Sequence, residues 1–423
     1  MNRVYYFHDI NALACLLNEV EVYINMKNIK WLFTGLFALL LLEVAKVYFI
    51  MPFPGSQKGN SIDLAYFLNN NLWWIRLVLI LLLIAPIVHF LRSGKKWQRT
   101  SVIIFLLLYA LVFYAFQYKF LADKMFLQPA VKKFTPAVSD TNLQKLIIGV
   151  AVNNTAKAYP VEIIGYHHQV RDTLNGKDMM ITYCTVCRTG RVFSPVVNGK
   201  VEKFRLVGMD HFNAMFEDES TKSWWQQATG KAVTGPMKGY QLEELPSEQM
   251  RLGDWLLIHP DSRVMLPDSN FREKYDSLKG YDEGLLKNGL EIRDTASWKR
   301  KSWVIGVTMK NTSRAYDWNE LVKKRWIEDE LASTPVLLTI EPNNQTHYVL
   351  LRELEGKILH FGADSATGKL MDIETLSVWL PNGKAAEGPL KGKHLSRIQS
   401  YQEYWHSWQQ FHPGTSLYGK KNQ

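Results

Sequence analysis

Cysteine is scarce in this sequence, which contains only three cysteines among 423 residues. It has no cysteine and histidine spacing typical of a zinc finger, and no lysine- and arginine-rich block with interleaved aromatic residues. Nucleic-acid binding is therefore a poor interpretation of the net charge of +10. The sequence also lacks a phosphate-binding loop, a Ser-His-Asp pattern and a haem-attachment motif, since Cys187 is followed by Arg188 and not by histidine.

The composition is that of an ordinary globular protein. Hydrophobic residues make up 47% of the chain and charged residues 21%, which argues against disorder. The length suffices for two domains, each with a large core. Much of the excess positive charge is local, because it flanks apolar segments at Lys27, Lys30, Arg92, Lys95, Lys96 and Arg99.

Three segments are long and apolar enough to cross a membrane: Trp31–Ile50, Leu72–Leu91 and Thr100–Leu121. In the first, Glu43 and Lys46 are three residues apart, and we expect them to pair on one helix face. In the second, Arg76 lies near one end, and we expect its side chain to extend towards the membrane surface.

The positive charges predict how these segments are oriented. The short loop 92–99 carries four lysine or arginine residues, whereas loop 51–71 carries only Lys58. The positive-inside rule therefore places loop 92–99 in the cytoplasm, and the chain after about Ala122 outside it. We predict a multi-pass protein with the lipid bilayer as a partner and an extracytoplasmic C-terminal domain.

The first 25 residues carry no strong pattern, and Met26 followed by Lys27 is a second possible start. If the protein begins there, Cys15 is not part of it, and Cys184 and Cys187 are its only cysteines.

Sequence motifs recur in the C-terminal region. Ile148–Tyr159 is echoed by Ile305–Tyr316, Gly230–Gly239 by Gly383–Gly392, and Trp255–Pro260 by Trp408–Pro413. Three matches in the same order predict two copies of one strand-rich α+β unit. The predicted organisation is an N-terminal tail (1–25), three transmembrane helices (26–121), a connector (122–145), a first repeat (146–266), a linker (267–302) and a second repeat (303–418).

The cysteine pair lies in the first repeat. Met179–Tyr183 is typical of a strand, and Arg188–Gly190 of a turn into a second strand, Arg191–Phe193. Cys184 and Cys187 are therefore expected at a strand-to-turn edge, whereas in thioredoxin-like folds the same spacing opens a helix.

The second repeat provides an internal comparison for the cysteines. Its corresponding segment, Val336–Gln345, contains no cysteine, so the fold does not need the pair. This difference favours a chemical role for Cys184 and Cys187. By the same comparison His259 and His412, which precede proline in both copies, are predicted to be structural.

An ordered set of motifs between residues 146 and 418 resembles the domain of unknown function 3179 (DUF3179) family. The motifs are Tyr159-Pro160, His167 with Asp172, Thr182-Tyr183-Cys184-x-x-Cys187, Trp225-x-Gln227-x-x-Thr229-Gly230 and Gly235-Pro236. The resemblance implies a bacterial, often membrane-attached protein, and hence the cytoplasmic (inner) membrane, but no assigned activity. The family often has Cys-Pro-Leu-Cys-Gly where this chain has Cys184-Thr185-Val186-Cys187-Arg188, and His-Glu where it has His167-His168.

The first functional hypothesis is thiol–disulfide or electron-transfer chemistry, of the kind a thiol–disulfide oxidoreductase performs with a redox partner protein. Cys184 and Cys187 would cycle between dithiol and disulfide, and Arg188 is expected to favour a thiolate by charge attraction. His167 or His168 is expected to act as a base. A purely stabilising disulfide is a weak alternative, because the loop that it closes is very short.

The second hypothesis is a soft-metal site. Two thiolates together with imidazoles from His167, His168 or His211 would bind copper or zinc. Because adjacent residues on a strand point to opposite faces, only one of His167 and His168 is expected to take part.

A third hypothesis is a non-enzymatic binding or assembly module whose cysteines only close a loop. The acidic stretch around Asp218 is expected to be a solvated turn rather than a general acid or base. The isolated cysteine pair, its extracytoplasmic location and its absence from the second repeat lead us to predict the redox function, with the soft-metal site as the second choice.

Overall fold

The computed structural model describes residues 29–140, 142–287 and 289–420; the predicted tail 1–25, Cys15 and Lys27 lie outside the described residues. The chain divides into two compact units. Of the described residues, the first comprises those up to Ser56 and Asn60–Met125, and the second comprises Gln57–Gly59 and those from Phe126 onwards.

The first unit is helical. Its helices are α1 (Ile29–Tyr48), α2 (Ile62–Ser93), α3 (Lys96–Tyr114), which continues in a π-helical turn at Ala115–Lys119, and the short α4 (Ala122–Met125). Three of these helical segments are long and apolar enough to cross a membrane. This confirms the number of predicted spans. Helix α2 begins well before Leu72, however, because the polar residues ahead of Leu72 continue the same helix.

The charged residues of the spans pair between helices. The carboxylate of Glu43 accepts hydrogen bonds from Arg76 Nε (2.7 Å) and Nη2 (2.9 Å), and Tyr109 and Gln117 also donate to it. Lys46 donates to Gln117. The sequence did not predict this pairing between helices, and the expected extension of Arg76 to the surface is wrong. Arg76 is only 8% exposed, because a buried carboxylate requires a buried cation as its partner.

The second unit is rich in strands. Its first part contains β1 (Phe134–Pro136), β2 (Leu146–Val152), β3 (Thr155–Pro160), α5 (Val161–His167), β4 (Gln169–Leu174), β5 (Lys177–Cys184), β6 (Thr189–Phe193), β7 (Val196–Val197), β8 (Lys200–Val201), β9 (Phe204–Asp210), β10 (Asn213–Asp218), β11 (Trp224–Gln226), β12 (Ala232–Thr234), β13 (Glu248–Arg251), α6 (Leu252–Ile258), β14 (Arg263–Met265) and α7 (Arg272–Asp276).

The remainder contains β15 (Trp303–Met309), β16 (Thr312–Asp317), α8 (Trp318–Lys324), β17 (Trp326–Leu331), β18 (Thr334–Ile340), β19 (His347–Leu351), β20 (Glu353–Leu354), β21 (Lys357–Ile358), β22 (Phe361–Ala363), β23 (Leu370–Asp372), β24 (Val378–Trp379), β25 (Ala385–Glu387), β26 (Ser400–Tyr404), α9 (Trp405–Phe411) and β27 (Ser416–Leu417).

The sheets of the two parts follow corresponding orders. The first part has β1-β14-β3-β2-β13, β4-β5-β6 and β12-β11-β10-β9, and the second has β27-β16-β15-β26, β17-β18-β19 and β25-β24-β23-β22. Each part also contains a hairpin whose two strands are two residues long, β7-β8 in the first part and β20-β21 in the second. The predicted connector contributes the edge strand β1, and the predicted linker contains α7.

Side-chain hydrogen bonds also recur at corresponding positions. In both parts a tyrosine donates to an aspartate, a tryptophan donates to a second aspartate, and another tryptophan donates to a hydroxyl. These bonds are Tyr159–Asp172 (2.7 Å) and Tyr316–Asp329 (2.8 Å), Trp225–Asp218 (2.9 Å) and Trp379–Asp372 (2.8 Å), and Trp255–Ser262 (2.8 Å) and Trp408–Thr415 (2.9 Å).

Asp218 corrects the prediction of a solvated acidic turn. It is fully buried, and its carboxylate accepts hydrogen bonds from Thr221, Ser223 and the indole of Trp225. A buried carboxylate with several donors stabilises a tight turn. Its role is therefore structural.

Candidate thiol site

The cysteines lie where two antiparallel strands meet. Cys184 is the last residue of β5 and pairs with Thr189, the first residue of β6. The backbone N–H of Cys187 donates to the carbonyl oxygen of Cys184 over 3.2 Å, which closes the turn between them. The predicted strand-to-turn edge is confirmed, although β6 begins at Thr189 rather than at Arg191.

The two thiols converge on one acceptor. Both cysteines are free and fully buried, and their Sγ atoms lie 3.5 Å (Cys184) and 3.3 Å (Cys187) from the carbonyl oxygen of Phe212. Phe212 and His211 form the β9–β10 turn with φ angles of 69° and 50°, a conformation that side chains disfavour. This strained turn covers the sulfur atoms.

The two thiols differ in acidity. Burial raises the pKa of Cys184, but hydrogen bonds from Cys187 and from the backbone of Ala214 outweigh it, so its pKa lies below the ordinary value. Burial and the neighbouring sulfur of Cys184 raise the pKa of Cys187 well above its ordinary value. Cys184 is therefore the thiol that ionises first.

Lys301 supplies positive charge at the site. Its ammonium group donates to the carbonyl oxygen of Val186, in the turn between the cysteines, and lies 4.5 Å from the ring centre of Tyr404. Burial lowers the pKa of Lys301 to about 8, although the thiols act in the opposite direction. Sequence reasoning missed this residue, because nothing distinguishes it from Lys299 and Arg300 in the predicted linker.

Arg188 has other partners. Its buried guanidinium donates to Gln402 (3.0 Å) and to the carbonyl oxygens of Tyr281 (3.2 Å) and Asp282 (2.9 Å), and it lies 3.9 Å from the ring centre of Trp303. These contacts hold the charged guanidinium of Arg188 between the strands and the linker.

The predicted histidines are engaged separately. The ring of His167 hydrogen bonds to the Tyr275 hydroxyl (2.7 Å) and to the carbonyl oxygen of Leu127. The ring of His168 lies 3.1 Å from the carbonyl oxygen of Tyr183.

The two histidines also differ from the expected strand geometry. His167 ends helix α5, and His168 follows with a φ of 58°, so the expectation of adjacent strand residues is wrong.

His211 completes the set of candidate ligands. Its Nδ1 lies 2.6 Å from Asp210, and that hydrogen bond raises its pKa despite partial burial. Within residues 29–140, 142–287 and 289–420, no three histidine, cysteine, aspartate or glutamate side chains gather closely enough to hold a metal ion. The expected set of two thiolates and imidazoles is therefore not brought together.

The last part of the chain covers the cysteine turn. Tyr404 donates its backbone N–H to the carbonyl oxygen of Cys187 (3.0 Å), and the Ser407 hydroxyl lies 3.2 Å from that of Thr189. The site thus requires β26 and α9 as well as β5 and β6.

The corresponding turn of the second part carries different chemistry. Asn344 donates its backbone N–H to the carbonyl oxygen of Glu341 over 2.9 Å, just as Cys187 donates to Cys184. Burial and the charge of Asp254 raise the pKa of Glu341 to about 7. Glu341 and Asn344 thus occupy the positions that correspond to Cys184 and Cys187.

A family model described as a protein of unknown function (DUF3179) matches residues 127–415. The chain belongs to the DUF3179 family. The match includes the cysteine turn, Lys301 and the β26 residues that cover the turn. Searches of curated proteins and of solved structures found no match.

Proposed function

We propose that Cys184 and Cys187 form a thiol–disulfide redox centre in a membrane-anchored, extracytoplasmic domain. The observation that carries the proposal is the approach of both sulfur atoms to the same carbonyl oxygen, that of Phe212. The lowered pKa of Cys184 and the adjacent Lys301 support its role as the attacking thiol, since the thiolate is the nucleophile.

The proposed reaction is exchange with a disulfide of a partner. The Cys184 thiolate attacks one sulfur of that disulfide, so that a mixed disulfide forms and the first partner thiolate leaves. Cys187 then loses its proton and attacks the Cys184 sulfur, which releases the second partner thiolate. The chain has lost two electrons and holds a Cys184–Cys187 disulfide, while the partner has become a dithiol.

Access sets a condition on this reaction. Both cysteines are fully buried. A partner disulfide therefore reaches Cys184 only when the turn with His211 and Phe212 moves away. The disfavoured backbone conformation of that turn lowers the cost of such a movement.

The proposal includes the location and the organisation of the domain. Positive charge in loop 92–99 supports an extracytoplasmic domain anchored in a bacterial inner membrane. Corresponding sheet orders and recurring hydrogen bonds support two copies of one unit, of which only the first kept, or gained, the cysteines.

The test uses the full chain with Cys15→Ser in mild detergent, so that Cys184 and Cys187 are its only thiols, equilibrated with reduced and oxidised glutathione and analysed by intact mass after acid quenching. We expect reversible loss of two hydrogen masses from this parent chain. We expect a trapped glutathione adduct on Cys187→Ser, and a much smaller adduct on Cys184→Ser.

Two results would overturn the redox proposal. One is a pair of thiols that stays reduced throughout the glutathione series. The other is stoichiometric copper or zinc by elemental analysis that disappears in Cys184→Ser, which would support the soft-metal hypothesis instead.

A further inference from the structure

A cavity of about 300 Å³ lies between the two parts of the strand-rich unit, away from the cysteine turn. Residues of β2, β13 and α6 line one side, and residues of β19 and the segment leading into β26 line the other. Its polar lining includes Ser247, Glu248, His259, His347, Arg397 and Ser400. Clefts between structural repeats or domains are common ligand sites, and this volume is at the lower end of their range.

The cavity is preformed by hydrogen bonds across it. The backbone N–H of Ser247 donates to the side-chain oxygen of Gln399 (3.2 Å), and the side-chain nitrogen of Gln399 donates back to the carbonyl oxygen of Ser247 (2.9 Å). This reciprocal pair ties the segments before β13 and β26 together. A rigid wall lowers the entropic cost of binding.

The charges that face the cavity cancel. Arg397 donates through Nη1 to both carboxylate oxygens of Glu248, each over 2.7 Å. Burial lowers the pKa of His259 and lowers that of His347 to about 4, so both imidazoles are neutral at pH 7. A charged ligand would therefore meet a pair without net charge, which does not compensate for the hydration that the ligand loses on entry.

The polar groups of the cavity favour a ligand that both donates and accepts hydrogen bonds. The Ser400 hydroxyl lies 3.2 Å from His347 Nε2, and either atom can be the donor. Glu248 is an acceptor with lone pairs beyond those that Arg397 uses, and the guanidinium offers donors besides Nη1. Hydroxyl groups satisfy donors and acceptors alike.

We propose that this cavity binds a small, uncharged, polyhydroxylated molecule of monosaccharide size. Glu248, Arg397 and Ser400 would bind its hydroxyl groups, and the neutral His347 would orient Ser400. This site is separate from the thiol turn, so it holds or fails independently of the redox proposal.

The experiment is isothermal titration of the full chain in detergent with glucose, galactose and mannose, and with glucuronate and glucosamine as charged analogues. We expect saturable, one-to-one binding of at least one neutral hexose, and binding of its charged analogues weaker by about tenfold or more, because the net-neutral Arg397–Glu248 pair does not compensate for the hydration that an additional charge loses.

Variants separate this site from binding elsewhere on the chain. Ser400→Leu fills the cavity and Ser400→Ala only removes the hydroxyl, so we expect loss of binding in the first and about tenfold weaker binding in the second. Ser396→Leu is the matched control: Ser396 is exposed, precedes the same strand and does not line the cavity, so its variant should bind like the wild type.

The proposal is overturned if none of the neutral hexoses binds the wild type. It is also overturned if the charged analogues bind as tightly as the hexoses, or if Ser400→Ala, folded as judged by circular dichroism, binds like the wild type.

Discussion

The carbonyl oxygen of Cys187 accepts a hydrogen bond of 3.0 Å from the backbone N–H of Tyr404. The turn that carries both thiols is therefore held by a strand from the far end of the chain. Lys301 reaches the same turn from just before β15 and donates to Val186. A strand of the second part thus helps to set the geometry of the cysteine site, and the linker supplies its charge.

Replacement of Lys301 tests the electrostatics of the thiols. The positive charge of Lys301 lowers the pKa of Cys184, so Lys301→Met should raise that pKa and reduce the thiolate fraction at pH 7. The measurement is the rate of iodoacetamide alkylation from pH 6 to 10 in a background with Cys15→Ser and Cys187→Ser, which leaves Cys184 as the only thiol. We expect the profile to shift to higher pH, and Lys299→Met, which alters an exposed neighbour, to leave it unchanged. Coincident profiles for Lys301→Met and the parent would contradict this role.

Gly149 and Gly306 occupy corresponding positions in the two parts, and we expect that neither position has room for a larger side chain. A Cβ atom added at Gly149 would lie 2.5 Å from the ring of Trp255, and one at Gly306 would lie 2.1 Å from that of Trp408. Each Gly→Ala variant should therefore lose about 1–3 kcal/mol in free energy of unfolding, because a packed core must shift to admit the methyl group. Denaturant unfolding followed by tryptophan fluorescence measures the loss. Gly362→Ala is the control, since nothing lies within 4 Å of its added Cβ; equal stability of all three variants would refute the argument.

A buried ion pair joins the two parts of the domain. The guanidinium of Arg191 is 2% exposed, and it binds the fully buried carboxylate of Glu403. Arg191→Met leaves that carboxylate without its partner and should cost about 3–5 kcal/mol of stability. The exposed pair of Lys177 and Glu243 provides the comparison, because Lys177→Met should cost less than about 1 kcal/mol. Urea unfolding of both variants measures the difference, and similar midpoints would count against a stabilising role of the buried pair.

Buried histidines predict sensitivity to acid. Burial lowers the pKa of His347 to about 4 in the folded protein, whereas an unfolded histidine titrates near 6.5. As the pH falls from about 6.5 to about 4, the unfolded state binds a proton that the folded state does not, so stability decreases across this window. Above it, the contribution of His347 to stability is independent of pH.

The variant that tests this prediction is His347→Gln. The pH dependence of the unfolding midpoint should be shallower in His347→Gln than in the wild type between pH 6.5 and 4. An unchanged slope in His347→Gln would show that other groups cause the loss of stability.

Sequence patterns identified the structural features that depend only on residues close together in the sequence. Three long apolar runs predicted the three membrane-capable helices, and the strand-forming run Met179–Tyr183 before Arg188–Gly190 predicted a strand that ends in a turn. The family motifs identified membership of the DUF3179 family, because they are short sequence motifs that occur in a fixed order along the chain. These properties arise from local periodicity, turn chemistry and segment length.

The partners of the functional side chains were decided only by the tertiary structure. Glu43 of one helix binds Arg76 of another, and Lys301 rather than Arg188 places its charge beside the thiols. The three predicted histidines are held by separate partners instead of gathering around the sulfur atoms. Contacts between residues far apart in sequence depend on how sheets and helices pack. A short motif carries no information about which distant lysine or carboxylate that packing brings to it.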